Sequence, residues 1–95
     1  MTEKEFFEAL AEVPGKWTFN RFGIRQVNWV GFRCHCPLTA VAAYRTGRSF
    51  KTHDFDIAAR AIGLPVELAW DIVNAADTGE PKKLFEKLLK ATRLA

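Results

Sequence analysis

Apolar residues recur along this chain with two different spacings. In "EKEFFEALAE", Phe6, Phe7 and Leu10 form one helical stripe, and Thr2 with Glu5 three positions on makes a capping box at its start. This first helix is expected to end at "VPG". The spacing then changes to that of strands. "KWTFNRFGIRQVNWV" places aromatic and β-branched residues on both sides of "NRFG", which predicts a β-hairpin with its turn at those four residues. Trp17 and Phe19 share a face of the first strand. Arg25, Val27 and Trp29 share a face of the second, so that face is mixed. A two-stranded hairpin must bury one side, which assigns Trp17, Phe19 and Trp29 mainly to the core.

Helical spacing resumes at Pro37, a residue suited to the first helical position because its missing N–H is not needed there. This helix runs through "LTAVAAYRT" to Gly47, with Leu38, Val41 and Ala42 as a narrow inner edge. Phe55, Ala58, Ala59 and Ile62 predict a third helix, closed by Gly63. Pro65 opens a fourth, through about Ala76, with Trp70 expected in the core. Leu84, Phe85, Leu88 and Leu89 give a fifth over Lys82–Arg93. The order predicts a single α+β domain over residues 1–95: an N-terminal helix, a two-stranded antiparallel hairpin, then a four-helix C-terminal bundle packed on it.

Candidate chemistry concentrates in "NWVGFRCHCPLTAVAAY". Cys36 stands at a helix N-terminus near Arg33 and His35, conditions that favour a thiolate. A nucleophile also needs a positioned base, and His53, with Asp54 or Asp56 to orient it, is the candidate. A helix that begins at a cysteine resembles the papain-like hydrolases, but there the catalytic histidine arrives on later strands, whereas everything after Gly47 here reads as helical. An inert, buried thiol is the expectation. Cys34, Cys36 and His53 would give a metal three ligands and no fourth, while structural zinc sites are closed with four. The zinc-deaminase signature and any glycine-rich phosphate loop are absent from the sequence. No catalytic residue, metal or cofactor is therefore assigned.

"AARAIGLPVELAWDIVNA" resembles a helix-turn-helix in its Ala59, Gly63, Val66, Ala69 and Ile72 spacing. Its second helix presents Glu67 and Asp71 and no cation, which phosphate would repel, so a packed helical hairpin is the better reading.

Net charge is a modest +3, but its layout is uneven. From Val13 to His53 there are seven basic residues and no acidic one, against seven basic and eleven acidic elsewhere. Within this stretch Lys16, Arg21, Arg25 and Arg33 interleave with Trp17, Phe19, Phe22, Trp29 and Phe32. Cations beside exposed rings suit single-stranded nucleic acid, where phosphates meet charge and bases stack. The Pro37 helix N-terminus would add N–H groups to an anion site. Contact residues are assigned as Arg21, Phe22, Arg25, Arg33 and Arg48, supported by Arg45 and Lys51, with Phe22 at the turn tip as the sharpest element. The partner expected is nucleic acid or an acidic protein or nucleoprotein surface, with no small-molecule substrate.

The acidic opening is no signal peptide and no apolar run reaches membrane-span length, so a cytoplasmic location is expected, without membrane association. The pattern "CPLTA", a glycine-ended helix, "AIGLP" and "NAAD", over Cys36–Asp77, resembles small uncharacterised proteins of bacteriophages and mobile elements. That resemblance implies a context in which small proteins bind host machinery, including as inhibitors of defence systems, and it transfers no functional residue. The expected function is a non-enzymatic binding module. The alternative is a protein–protein inhibitor of a host complex acting through Glu67, Trp70 and Asp71.

Overall fold

A computed structural model describes residues 1–20, 23–27, 36–51 and 53–93. Helix α1 (Glu3–Glu12) opens at the capping box: Thr2 Oγ1 accepts the Glu5 N–H at 3.1 Å, and Glu5 Oε1 accepts the Thr2 N–H at 3.0 Å. The same contacts hold the Glu5 carboxyl below its ordinary pKa, first through the Thr2 N–H and then through the Thr2 hydroxyl. Strands β1 (Lys16–Asn20) and β2 (Gly23–Val27) pair antiparallel, with Asn20 opposite Gly23. The turn therefore falls at the "NRFG" read from the sequence. Four helices follow: α2 (Pro37–Thr46), α3 (Phe55–Ala61), α4 (Val66–Thr78) and α5 (Lys82–Thr92). The fold is α+β, and α1 joins the helical layer by packing on α2 and α5.

Helix α2 is the centre of this arrangement. Every residue from Pro37 to Ala43 is buried, where only the edge formed by Leu38, Val41 and Ala42 was expected. The reason is composition: Ala40, Ala42 and Ala43 add so little volume that α1, α3, α4 and β2 all approach the same helix. Phe6 and Leu10 of α1, Ile24 of β2, Ile72 of α4 and Leu88 of α5 complete the core. Gly47, with φ of 72°, ends α2 in the left-handed conformation that glycine favours.

Of the hairpin residues expected in the core, Trp17 packs at its margin and Phe19 stands outside it. Register sets Phe19 opposite Ile24 and Trp17 opposite Gln26. Ile24 and Gln26 are buried, Trp17 is half-buried, and Phe19 is 57% exposed. Trp29 lies outside the described residues. Strand β2 is the one against which α2 and α4 pack, so Ile24 and Gln26 enter the core while Phe19 of β1 stays outside it. Gln26 Nε2 donates to the Pro14 carbonyl at 2.7 Å, tying β2 to the exit from α1.

Gly23 sets how closely β2 meets α4. Its φ is +93°, and a Cβ there would stand 2.3 Å from the Ala76 carbonyl oxygen. Gly23→Ala is expected to lower stability by about 3 kcal/mol, from backbone strain plus overpacking. Gly47→Ala, whose Cβ would meet open space, should cost only about 1 kcal/mol for its left-handed conformation. Urea unfolding of both variants checks this; equal losses would show that the β2–α4 approach is not the constraint.

Candidate functional site

Of the cations assigned from sequence, the structure describes Arg25, Arg45, Arg48 and Lys51, and these four do not stand together. Arg21, Phe22 and Arg33 lie outside the described residues. Arg25 is engaged within the fold: its guanidinium meets Asp77 Oδ1 of α4 at 2.8 Å and donates to the Ile24 carbonyl at 3.0 Å. Its side chain is 27% exposed, so this charge-assisted pair joins hairpin to helix. Arg25 also stands close enough to the start of α2 for Cys36 to feel its charge.

Arg45, Arg48 and Lys51 are exposed at the other end of that helix. Arg45 is on the last turn of α2, where its charge reaches Glu5 of α1. Arg48 sets its guanidinium over the Phe50 ring, 5.5 Å from the centroid. The 10 residues of α2, about 15 Å of helix, separate this group from Arg25. Among the described residues, Arg25 is thus set apart from the cations that follow α2.

The start of α2 is equally unavailable as an anion site. Cys36, Pro37, Leu38 and Thr39 are all buried, so the first turn faces the protein interior. Cys36 Sγ lies 3.3 Å from Thr39 Oγ1, and burial pushes the thiol pKa up. The Thr39 hydrogen bonds and the Arg25 charge offset that only in part. The carboxylates proposed to orient His53 hold other partners: Asp54 Oδ2 accepts the Lys51 N–H at 3.3 Å, and Asp56 Oδ1 accepts the Trp70 indole N–H at 2.8 Å. Among the described residues, no three His, Cys, Asp or Glu side chains cluster to hold a metal.

Two aromatics depart from the core reading, and for Trp70 the alternative of a protein-contact anchor beside Glu67 and Asp71 fits its exposure. Phe19, read as core, lies against Phe85 of α5 with ring centroids 5.5 Å apart. Lys82, exposed one helical turn before Phe85, brings a cation toward the ring pair, while Lys16, exposed at the start of the strand that carries Phe19, lies on its opposite face. Trp70, also read as core, is 43% exposed. Its ring makes an edge contact with Phe55 at 5.2 Å, and the Asp56 bond fixes its orientation. Glu67, Trp70, Asp71 and Asn74, all exposed, occupy one face of α4. Periodicity held the signal for Trp70: Ala69, Ile72, Val73 and Ala76 already form a complete buried stripe beside it.

Cys36 supplies a test of the buried thiol. In a Cys34→Ser variant, which leaves Cys36 as the one thiol, folded protein should react slowly with an alkylating reagent and at an ordinary rate once unfolded. Because the folded thiol keeps its proton after the unfolded one has lost it, stability should fall as pH rises above about 8.5. Urea unfolding of wild type against Cys36→Ala isolates that loss, and rapid alkylation of folded protein would contradict it.

No helix among the described residues is long and apolar enough to cross a membrane. No protein-family model, curated protein or solved structure matches this chain.

Proposed function

We propose that the protein is a non-enzymatic binding module whose hairpin side engages a polyanionic or acidic partner, nucleic acid or nucleoprotein. The observation that carries this reading is Phe19, a large ring left more than half exposed on strand β1, with Phe85 behind it and Lys82 exposed one helical turn before Phe85; Lys16 is exposed at the start of the same strand. A base stacking on an exposed ring contributes about 1–3 kcal/mol, and cations along the same edge meet the phosphates. Arg21 and Phe22 at the turn extend that edge in sequence. The resemblance of Cys36–Asp77 to bacteriophage and mobile-element proteins supports a host component as the partner.

The test is salt-dependent binding to labelled single-stranded and double-stranded oligonucleotides, read by fluorescence anisotropy. Single strands should bind more tightly, with affinity falling steeply as salt rises. Phe19→Ala should weaken binding by about 5- to 150-fold, the range that loss of one stacked base represents. Lys16→Glu with Arg21→Glu should flatten the salt dependence by about 0.7 in logarithmic slope per phosphate contact removed. Arg25 is left in place, because a glutamate there would face Asp77 and weaken the fold. Absence of binding at low salt would reject the nucleic-acid reading.

A second reading, inhibition of a host protein complex, is favoured by Trp70. An indole held by Asp56 and Phe55 yet open to solvent has little freedom left to lose on binding. Glu67 and Asp71 beside it suit a basic partner groove. For a host protein that the chain captures, Trp70→Ala should cost about 2 kcal/mol or more in calorimetry. The Lys16→Glu and Arg21→Glu pair should leave that affinity unchanged; the reverse pattern would return the contact to the hairpin.

A further inference from the structure

Helices α1 and α5 pack side by side and leave an open groove between them of about 550 Å³. Its floor is apolar: Phe7 and Ala11 of α1 and Ala91 of α5. Neither the hairpin reading nor the Trp70 reading uses this face. Phe7 and Ala11 lie one turn apart on α1, so the floor runs along that helix, with Ala91 facing it from α5. A third helix laid here would complete a three-helix seam.

The rims define what that helix must carry. Glu3 and Lys87 span the groove at one end with Nζ to Oε1 at 3.2 Å, an exposed pair that water screens. Beyond that pair, α5 presents a basic wall. Lys83, Lys87 and Lys90 recur at i, i+4 and i+7 on one helical face, and all three are exposed. They also line a shallow recess continuous in residues with the groove, where Glu86 is the one carboxylate. Lys4 adds a cation to the opposite rim, where Glu8 is the one anion left unpaired by the Glu3–Lys87 bridge.

We infer that this groove docks an amphipathic helix of a partner protein, with its apolar face on Phe7, Ala11 and Ala91 and an acidic flank along the lysines of α5. Helix-in-groove recognition uses anchors at i, i+3, i+4 and i+7, and the lysine spacing matches carboxylates repeated at the same interval on the incoming helix. The inference stands apart from the proposed hairpin function and does not depend on it.

The probe is a synthetic helical peptide with leucines at i, i+3, i+4 and i+7 and a flank of glutamates, compared with the same peptide carrying lysines on that flank. Binding to the full chain is followed by anisotropy and by ¹⁵N–¹H correlation spectra. The glutamate peptide should shift the amides of Phe7, Ala11 and Lys87–Ala91, and should bind at least about tenfold more tightly than the lysine peptide. Ala11→Arg should remove binding, and Lys83→Glu with Lys90→Glu should reverse the preference. Ala11, Lys83 and Lys90 are exposed, so the variants should keep the wild-type spectrum elsewhere. Equal affinity for both peptides, or shifts centred on the hairpin or on Trp70, would overturn the inference. So would a concentration-dependent dimer in sedimentation that Ala11→Arg abolishes, which would give the groove to a second copy of the chain.

Discussion

Burial of α2 on all sides is the constraint on which the rest of the structure depends. A helix in contact with α1, α3, α4 and β2 must present small side chains in several directions, and Ala40, Ala42 and Ala43 do so with none of their surface exposed. Close packing leaves no room for a methylene more at such positions. It also decides the chemistry of the helix start: Cys36, Pro37 and Thr39 are enclosed, so the partial positive charge of the N-terminus is directed into the protein. A cysteine that sequence context would activate is instead held protonated by burial.

The same central helix lies between the described cations of the basic segment. Arg25 is drawn into an ion pair with Asp77 at one end of α2, and Arg45, Arg48 and Lys51 reach solvent at the other. Around the rest of the molecule the surface divides into regions of different character. Phe19 and Phe85 with neighbouring Lys82 form an aromatic, basic edge, and Trp70 stands among carboxylates on α4. Between α1 and α5 an apolar floor runs beside a lysine wall.

Most of the elements were legible in the sequence because their signals are local. The Thr2–Glu5 capping box, Pro37 at a helix start, Gly47 at a helix end and the "NRFG" turn each act within a few residues, and each appears where it was read. The lysine spacing on α5 was equally local and simply passed over in favour of the denser basic run before His53. Trp70 shows a finer point: the buried stripe of α4 was complete without it, so amphipathic spacing argued for its exposure more strongly than hydrophobicity argued for burial.

What the sequence by itself determined is where helices and strands begin and end, and therefore the α+β class. Only tertiary structure decided which side of each element is covered. Phe19 and Ile24 are cross-strand neighbours of similar hydrophobicity, yet Ile24 is buried and Phe19 is not, because α2 and α4 pack against β2. Arg25 and Arg48 are the same residue type, but one finds Asp77 across 52 positions of chain and the other stays in water. Caps and turns are short-range and additive along the chain, whereas burial and ion pairing depend on which distant segments arrive, a property of the packed whole.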